Sequence, residues 1–158
     1  MGLALLDIDE VVASNFGMSI PEIFAEHGEK TFREAETEAL RRVRTDEQTI
    51  IITGGGIVLR KENVEILKKQ VAIVWLDADE ETLFARASRK QNRPLLQTKD
   101  PRKTFSQILA ARRPLYANIA NIRVDTSVLT DEEVAVAILT KLRRMNPTPE
   151  SPIRAKAS

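Results

Sequence analysis

The sequence lacks cysteine altogether and has one histidine, one tryptophan and one tyrosine among its 158 residues. The absence of cysteine excludes disulfides, thiolate metal sites and a cysteine nucleophile. Since no second histidine or cysteine can complete a site with His27, we expect this residue at a solvated helix end. A formal net charge of only +1 also gives no indication of a nucleic acid partner.

Long apolar runs are absent as well. No stretch approaches the roughly 18 residues needed to span a bilayer, and the N-terminus lacks the pattern of a signal peptide. We therefore expect a cytoplasmic protein with no membrane partner. Its length suits one domain, which we place at residues 1–144, followed by a disordered, proline-containing tail at residues 145–158.

The apolar segments alternate between strand and helix patterns. Apolar runs predict four buried strands: LALLDID, whose end is polar, TIIIT, VAIVWLD and IRVDT. Ser19, Pro21 and Glu22 predict a capped helix start, and Gly17 and Gly28 are expected to interrupt the helices around them. The segment QNRPLLQTKDPRKT is predicted to be a loop before a helix from Phe105. This order predicts an α/β domain whose parallel sheet is covered on both faces and binds ligands beyond the carboxyl ends of its strands.

Two carboxylates follow the first predicted strand. Asp7 and Asp9 are two residues apart, so on an extended backbone both side chains would point to the same side. One interpretation gives them to a magnesium ion and a substrate hydroxyl. The other is that they merely end a strand and cap the next helix. Taken alone, the two residues do not decide between these interpretations.

Three consecutive glycines, Gly54, Gly55 and Gly56, follow the second predicted strand. Glycine permits positive φ angles and a close approach of a ligand to the backbone. The loop is not a Walker A motif, because no glycine in the sequence is followed by lysine. The glycines therefore predict contact with a substrate.

Three arginines stand in distinctive local settings: Arg33 in TFREAE, Arg93 in NRPLL and Arg112 in ARRPLY. A guanidinium fork binds carboxylates and phosphates through two hydrogen bonds, which suits an anionic substrate. Each arginine considered alone is more readily explained as a surface charge.

Six segments carry a joint signal through their order and spacing: LLDIDEVV, GMSIPEIFAEHGEKTFREAE, IIITGGGIV, NRPLL, RRPLYANIA and RVDT. Together they closely resemble the shikimate kinase family over about residues 3 to 144. The resemblance implies a three-layer α/β/α domain of the P-loop kinase-like fold. It also implies transfer of the γ-phosphate of ATP, with Mg²⁺, to the 3-hydroxyl of shikimate in the pathway to the aromatic amino acids, by a monomer.

The resemblance also implies roles for individual residues at the acceptor site. Asp9 would hold the shikimate hydroxyls and orient or deprotonate the attacking oxygen. Arg33 and Arg112 would clamp the shikimate carboxylate, and Glu36 would orient Arg33. The backbone at Gly54, Gly55 and Gly56 would line the same pocket.

On the nucleotide side, the resemblance implies that Arg93 lies on a mobile lid and reaches the transferring phosphate. Arg86 would lie beside the adenine, with Arg89 as a competing assignment. Asp7 would support Mg²⁺ through its water shell.

The sequence departs from the family pattern at its start. Family members begin with a strand, a Walker A loop and a helix, whereas this chain begins at the family's second strand. In the family sheet the first strand lies between the strands that correspond to TIIIT and VAIVWLD. We therefore expect a sheet divided at a missing central strand, and weak thermal stability.

Three functional hypotheses remain open from the sequence. The first is a shikimate kinase read from an internal methionine, with the Walker A segment upstream. The second is a catalytically inactive relic or module that keeps shikimate binding or has lost it. The third is another small-molecule kinase of the same fold, such as a gluconate kinase-like enzyme.

Overall fold

The computed structural model describes residues 4–43, 49–70, 72–89 and 94–145. Over these ranges short strands alternate with helices. The strands are β1 (Ala4–Asp7), β2 (Thr49–Ile52), β3 (Val74–Asp77) and β4 (Ile122–Asp125). The helices are α1 (Ile8–Phe16), α2 (Ile20–Arg41), α3 (Lys61–Leu67), α4 (Glu80–Arg89), α5 (Pro101–Ile119) and α6 (Asp131–Met145), with 3-10 turns at Ile57–Leu59 and Pro94–Leu96.

The predicted helix end at Gly17, helix start at Ser19 and break at Gly28 are confirmed, whereas α1 begins at Ile8, earlier than the predicted helix VVASNFG. Gly17 ends α1 in the left-handed region, at φ 63°, and its N–H donates to the last carbonyls of the helix. The Ser19 N–H donates to the Glu22 carboxylate at 2.7 Å, as a capping box requires. Gly28 has φ 79° and ψ 166°, so α2 is kinked there into two helical parts.

The strands form two separate parallel pairs. β1 pairs with β2, with Leu6 opposite Ile51, and β3 pairs with β4, with Leu76 opposite Val124. Within the described ranges β2 and β3 do not pair with each other. The expected division of the sheet between these two strands is therefore confirmed.

The prediction that the strands are buried on both faces is wrong. On one face, Leu6 and Ile51 pack against the main apolar cluster. On the other face of this pair, Leu5 is 67% exposed, and Ile50 and Ile52 are about half exposed. In the second pair, Leu76 of β3 is also about half exposed. The sequence alone overestimates the burial of these residues. An apolar run shows that a strand could be buried, but it does not show which elements pack on each face.

The main core lies between α1, α2 and the segment after β2. Its buried residues include Ile8, Val12, Ile23, Phe32 and Leu40. These side chains recur on one side of each helix, so α1 and α2 pack against each other through their apolar faces. This packing fixes the position of α2, which carries the candidate site residues Arg33 and Glu36.

One loop prediction needs correction. The segment before Phe105 was predicted to be irregular, but α5 already begins at Pro101. Asp100 caps this helix by accepting a hydrogen bond from Lys103 N–H at 3.0 Å, and proline suits the first helical turn because its missing N–H is not needed there. The bounds of β4 agree with the predicted strand IRVDT to within a residue.

Two further expectations concern the ends of the chain and the membrane. The predicted tail, apart from Met145, lies outside the described residues. Among the residues that are described, no helix is long and apolar enough to cross a membrane.

Candidate active site

The buried end of the site is built around an arginine and two glutamates on α2. Arg33 donates to the Glu36 carboxylate at 2.7 Å through Nη1. It also donates to Glu29 through Nη2 at 2.9 Å and through Nε at 3.2 Å. The Glu36 side chain is fully buried and that of Arg33 is 13% exposed. Spacings of three and four residues place all three side chains on one helical face. The predicted orientation of Arg33 by Glu36 therefore has a direct geometric basis.

The charges at this cluster oppose one another. Burial raises the pKa of Glu36, and the negative charge of Asp9 adds to this rise, while the hydrogen bond and charge of Arg33 act against it. Burial alone would lower the pKa of Arg33, but Glu36 and Glu29 outweigh it and raise that pKa. Arg33 therefore stays charged, and Glu36 is a carboxylate whose ionised form depends on its arginine.

The three glycines lie against the predicted site residues. A methyl group placed on Gly54 would lie 3.2 and 3.3 Å from the two carboxylate oxygens of Asp9 and 3.5 Å from Glu36 Oε1. A methyl group on Gly56 would overlap the Arg33 guanidinium. The loop thus brings residues from α1, α2 and β2 together at one place.

The glycines are required for space, not for unusual backbone angles. Among the described residues only Gly17 and Gly28 have positive φ. Gly56, for example, has φ −84° and ψ −9°, which any residue can adopt. The expectation that the triple glycine supplies positive φ is therefore wrong, while the close approach to its backbone is made by Asp9, Glu36 and Arg33.

The other side of the loop meets α5. The Tyr116 hydroxyl donates to the Gly55 carbonyl oxygen at 2.6 Å. Arg112 lies one turn earlier on the helix, and its Nη1 would be 3.8 Å from a methyl group on Gly55. Arg33 and Arg112 therefore reach the same three-residue loop from different helices, as a carboxylate clamp requires.

The reasoning that paired Asp7 and Asp9 on an extended strand is wrong. β1 ends at Asp7 and α1 begins at Ile8, so Asp9 lies in the first helical turn. Asp7 caps that helix, its Oδ1 accepting a hydrogen bond from Asp9 N–H at 2.9 Å. The helix start turns Asp9 toward Gly54.

The described residues contain no cluster of three or more histidine, cysteine or acidic side chains that could hold a metal ion by themselves. An indirect role for Asp7 remains compatible with the site. Mg²⁺ commonly keeps several waters and uses one or two carboxylates together with substrate phosphates.

The arginines assigned to the nucleotide side are less completely described. Arg86 on α4 donates to the Thr126 hydroxyl and to the Thr126 carbonyl, both at 2.7 Å. This places it at the carboxyl end of β4, where ligands of parallel sheets bind. The competing Arg89 ends α4 three residues later. Arg93 lies outside the described residues.

Asp77, at the end of β3, is held in ion pairs with two arginines. It is 2% exposed and accepts hydrogen bonds from Arg123, the shortest at 2.6 Å. Arg113 also reaches it and donates to the Ala78 carbonyl at 2.9 Å. Of the two adjacent arginines in ARRPLY, Arg112 faces the glycine loop and Arg113 faces Asp77.

Two site residues were missed from the sequence. Glu29 was not assigned a role, although its spacing of four residues from Arg33 was a usable signal. Tyr116, within RRPLYANIA, is the second, and its spacing of four residues from Arg112 places both on one face of α5. Their contacts with the loop depend on the tertiary arrangement.

Comparisons with known proteins show the family of the chain. The family model described as shikimate kinase matches residues 1–143. The shikimate kinase of Thermodesulfovibrio yellowstonii is 40% identical over 146 residues, which are 92% of this chain and 84% of the relative. That of Symbiobacterium thermophilum is 39% identical over 145 residues, covering 90% and 83% of the two chains.

Solved structures give the same result. A shikimate kinase from Acinetobacter baumannii in complex with shikimate matches with a TM-score of 0.87 at 31% identity, covering 93% of this chain and 82% of the other. The shikimate kinase from Aquifex aeolicus matches with a TM-score of 0.74 at 33% identity, covering 89% and 82%. The predicted α/β fold of the P-loop kinase type is confirmed.

Neither alternative interpretation, a relic or a gluconate kinase-like enzyme, is favoured by these matches. Family, sequence relatives and structural neighbours all carry the same description. The chain belongs to the shikimate kinase family, whose members are phosphotransferases that use ATP as co-substrate.

Proposed function

We propose that the site formed by Asp9, Arg33, Glu36, Arg112 and the glycine loop binds shikimate and presents its 3-hydroxyl for phosphorylation. The observation that carries the proposal is the convergence of two carboxylates and two guanidinium groups on Gly54, Gly55 and Gly56. This arrangement suits a small ligand with one carboxylate and several hydroxyls. The shikimate complex of the Acinetobacter baumannii relative supports this substrate class.

The carboxylate of the substrate would be held by Arg33 and Arg112. A planar guanidinium offers two parallel N–H donors to a carboxylate, and fixing its orientation makes the contact specific. Glu36 and Glu29 fix Arg33 in this way through three hydrogen bonds. Arg112 would complete the clamp from α5.

Asp9 would act at the other end of the substrate. Its carboxylate would accept a hydrogen bond from the attacking hydroxyl and take its proton as the oxygen bonds to the γ-phosphorus of ATP. The bond between that phosphorus and the β-phosphate oxygen breaks, and ADP leaves. Positioning and charge stabilisation dominate such transfers, so the orientation of Asp9 is its main contribution.

On the nucleotide side, Arg93 would stabilise the transferring phosphate and Arg86 would lie beside the adenine. Asp7 would accept hydrogen bonds from water bound to Mg²⁺, which supplies positive charge at the phosphates. The residues Gly-x-x-x-x-Gly-Lys-Ser/Thr of a Walker A loop do not occur in the 158-residue sequence. Shikimate binding and phosphate transfer by this chain therefore have to be measured separately.

We further propose a monomeric, cytoplasmic protein with one domain over residues 1–144 and a tail over residues 145–158. The family match over residues 1–143 supports this boundary.

The proposal is tested by incubating the full chain with ATP, Mg²⁺ and either shikimate or gluconate, and measuring ADP release and the phosphorylated product by mass spectrometry. Shikimate 3-phosphate formation that Asp9→Asn abolishes supports the full proposal. Saturable shikimate binding without product would restrict it to the acceptor site. Phosphorylation of gluconate in preference to shikimate would overturn it.

A further inference from the structure

Tyr116 links the glycine loop to two other parts of the fold. Its hydroxyl donates to the Gly55 carbonyl oxygen at 2.6 Å. Its ring packs against Trp75 of β3, with ring centroids 5.8 Å apart. The loop follows β2, so Tyr116 connects the two strand pairs. We propose that Tyr116 is a positioning residue that holds the glycine loop in its shikimate-binding geometry, an inference that rests on the proposed function.

The hydrogen bond fixes the orientation of one peptide group. In a planar trans peptide the Gly55 carbonyl and the Gly56 N–H point in opposite directions. Holding the carbonyl on Tyr116 therefore sets the direction of the Gly56 N–H. Glycine has more backbone freedom than other residues, so a loop of three glycines gains most from such an external hold.

The same contact sets the distance between the loop and Arg112. Arg112 and Tyr116 are four residues apart on α5 and lie on the same side of the helix. The bond to Gly55 therefore fixes this face of the helix against the loop. On the opposite side of the loop, Arg33 is fixed by its own glutamates. Tyr116 thus determines the spacing between the two arginines proposed to clamp the carboxylate.

The fit between Tyr116 and Gly55 is specific to the hydroxyl. A methyl group on Gly55 would lie 2.8 Å from the Tyr116 oxygen, which is too close for a carbon atom. The next atoms, Arg112 Nη1 and Tyr116 Cζ, would be 3.8 and 3.9 Å away, which is ordinary contact. Removing the hydroxyl alone would make room for the methyl group.

This size match gives a direct experiment. Shikimate is titrated into the full chain and into Tyr116→Phe, Gly55→Ala and the double variant, with dissociation constants from calorimetry. Tyr116→Phe keeps the ring against Trp75 and removes one hydrogen bond, so we expect Kd to rise about fivefold. Gly55→Ala is expected to raise Kd at least about tenfold, because its methyl group displaces the tyrosine.

The double variant distinguishes the proposed positioning of the glycine loop by Tyr116 from a non-specific disruption of the site. We expect its Kd to lie within about twofold of that of Tyr116→Phe alone, so that removal of the hydroxyl rescues Gly55→Ala. An unchanged Kd in Tyr116→Phe would overturn the positioning role of Tyr116. So would a Kd of the double variant that rises by the product of the two single-variant increases. If Gly55→Ala does not fold, Tyr116→Phe decides alone. Failure of the unsubstituted chain to bind shikimate would instead overturn the proposed function, and this role with it.

Discussion

Arg33 donates a 2.7 Å hydrogen bond to Glu36, whose side chain is fully buried. A buried ion pair contributes little net stability relative to an apolar pair, but removal of one partner leaves an uncompensated charge. The pair is therefore explained better by the need to hold a guanidinium in one orientation beside the glycine loop than by stability.

This pair gives a prediction for stability. Arg33→Met should lower the free energy of unfolding by about 3 kcal/mol, because Glu36 is left buried without its counter-charge. The double variant Arg33→Met with Glu36→Gln should recover most of that loss. Urea denaturation of the parent, the single variants Arg33→Met and Glu36→Gln, and the double variant measures the coupling. Equal losses in Arg33→Met and in the double variant would contradict this account of the pair.

The pH dependence of stability provides a second prediction. Burial raises the pKa of Glu36 above its ordinary 4.5. A raised pKa means that the folded state binds the proton more tightly than the unfolded state. The protonated Glu36 side chain therefore stabilises the fold below about pH 4.5. This contribution is lost as pH rises through the pKa that Glu36 has in the folded state. Glu36→Gln should remove this loss, so its stability relative to the parent should increase as pH rises above 4.5.

Glu38 is the matched control, because hydrogen bonds from Arg42 and Arg41 lower its pKa at an exposed position. Its contribution is present above pH 4.5 and is lost only as pH falls below that value. The stability difference between Glu38→Gln and the parent should thus stay flat between pH 5 and pH 7. A flat difference for Glu36→Gln as well, measured by urea denaturation, would argue against the raised pKa.

A third prediction compares two glycines that are needed for different reasons. Gly56→Ala should weaken shikimate binding at least tenfold, roughly 1.4 kcal/mol, because its methyl group displaces the Arg33 guanidinium. Gly28→Ala is the control: Gly28 has φ 79° and no atom within 4 Å of the added carbon. It should lower stability by about 1 to 2 kcal/mol and leave shikimate affinity unchanged. Calorimetry and denaturation separate the two outcomes.

The divided sheet gives a fourth prediction. We expect a thermal unfolding midpoint below about 60 °C, within or below the usual mesophile range. Leu5 is 67% exposed and Leu40 is 1% exposed. Leu40→Ala should therefore cost about 2 to 5 kcal/mol, and Leu5→Ala no more than about 0.5. A cooperative melt well above 60 °C, or a large loss in Leu5→Ala, would mean that the exposed strand face is covered in solution.

The sequence predicted those features that depend on neighbouring residues. The turn at Gly17, the helix start at Ser19 and the kink at Gly28 each follow from local backbone chemistry. The family resemblance added the division of the sheet and the grouping of Arg33 and Glu36. Both are seen in the structure.

The features that the sequence did not predict depend on tertiary contacts. Glycine is needed at Gly54 and Gly56 because the side chains of Asp9, Glu36 and Arg33 fill the space beside them. No local sequence pattern reveals these contacts. Tyr116 donates a hydrogen bond to the carbonyl oxygen of Gly55, which is 61 residues away in the chain. Strand burial was overestimated because β-branched residues predict a strand but do not determine what packs on each face.

The central claim, a shikimate carboxylate clamp at the glycine loop, is tested most directly by titrating shikimate into the full chain, Arg112→Met and Arg113→Met. The two substitutions remove the same charge from adjacent positions, but Arg112 faces Gly55 and Arg113 bonds Asp77 and Ala78. The account predicts saturable binding by the parent, a Kd at least about tenfold higher in Arg112→Met, and a Kd within about twofold of the parent in Arg113→Met. No binding by the parent, or equal losses in both variants, would contradict it.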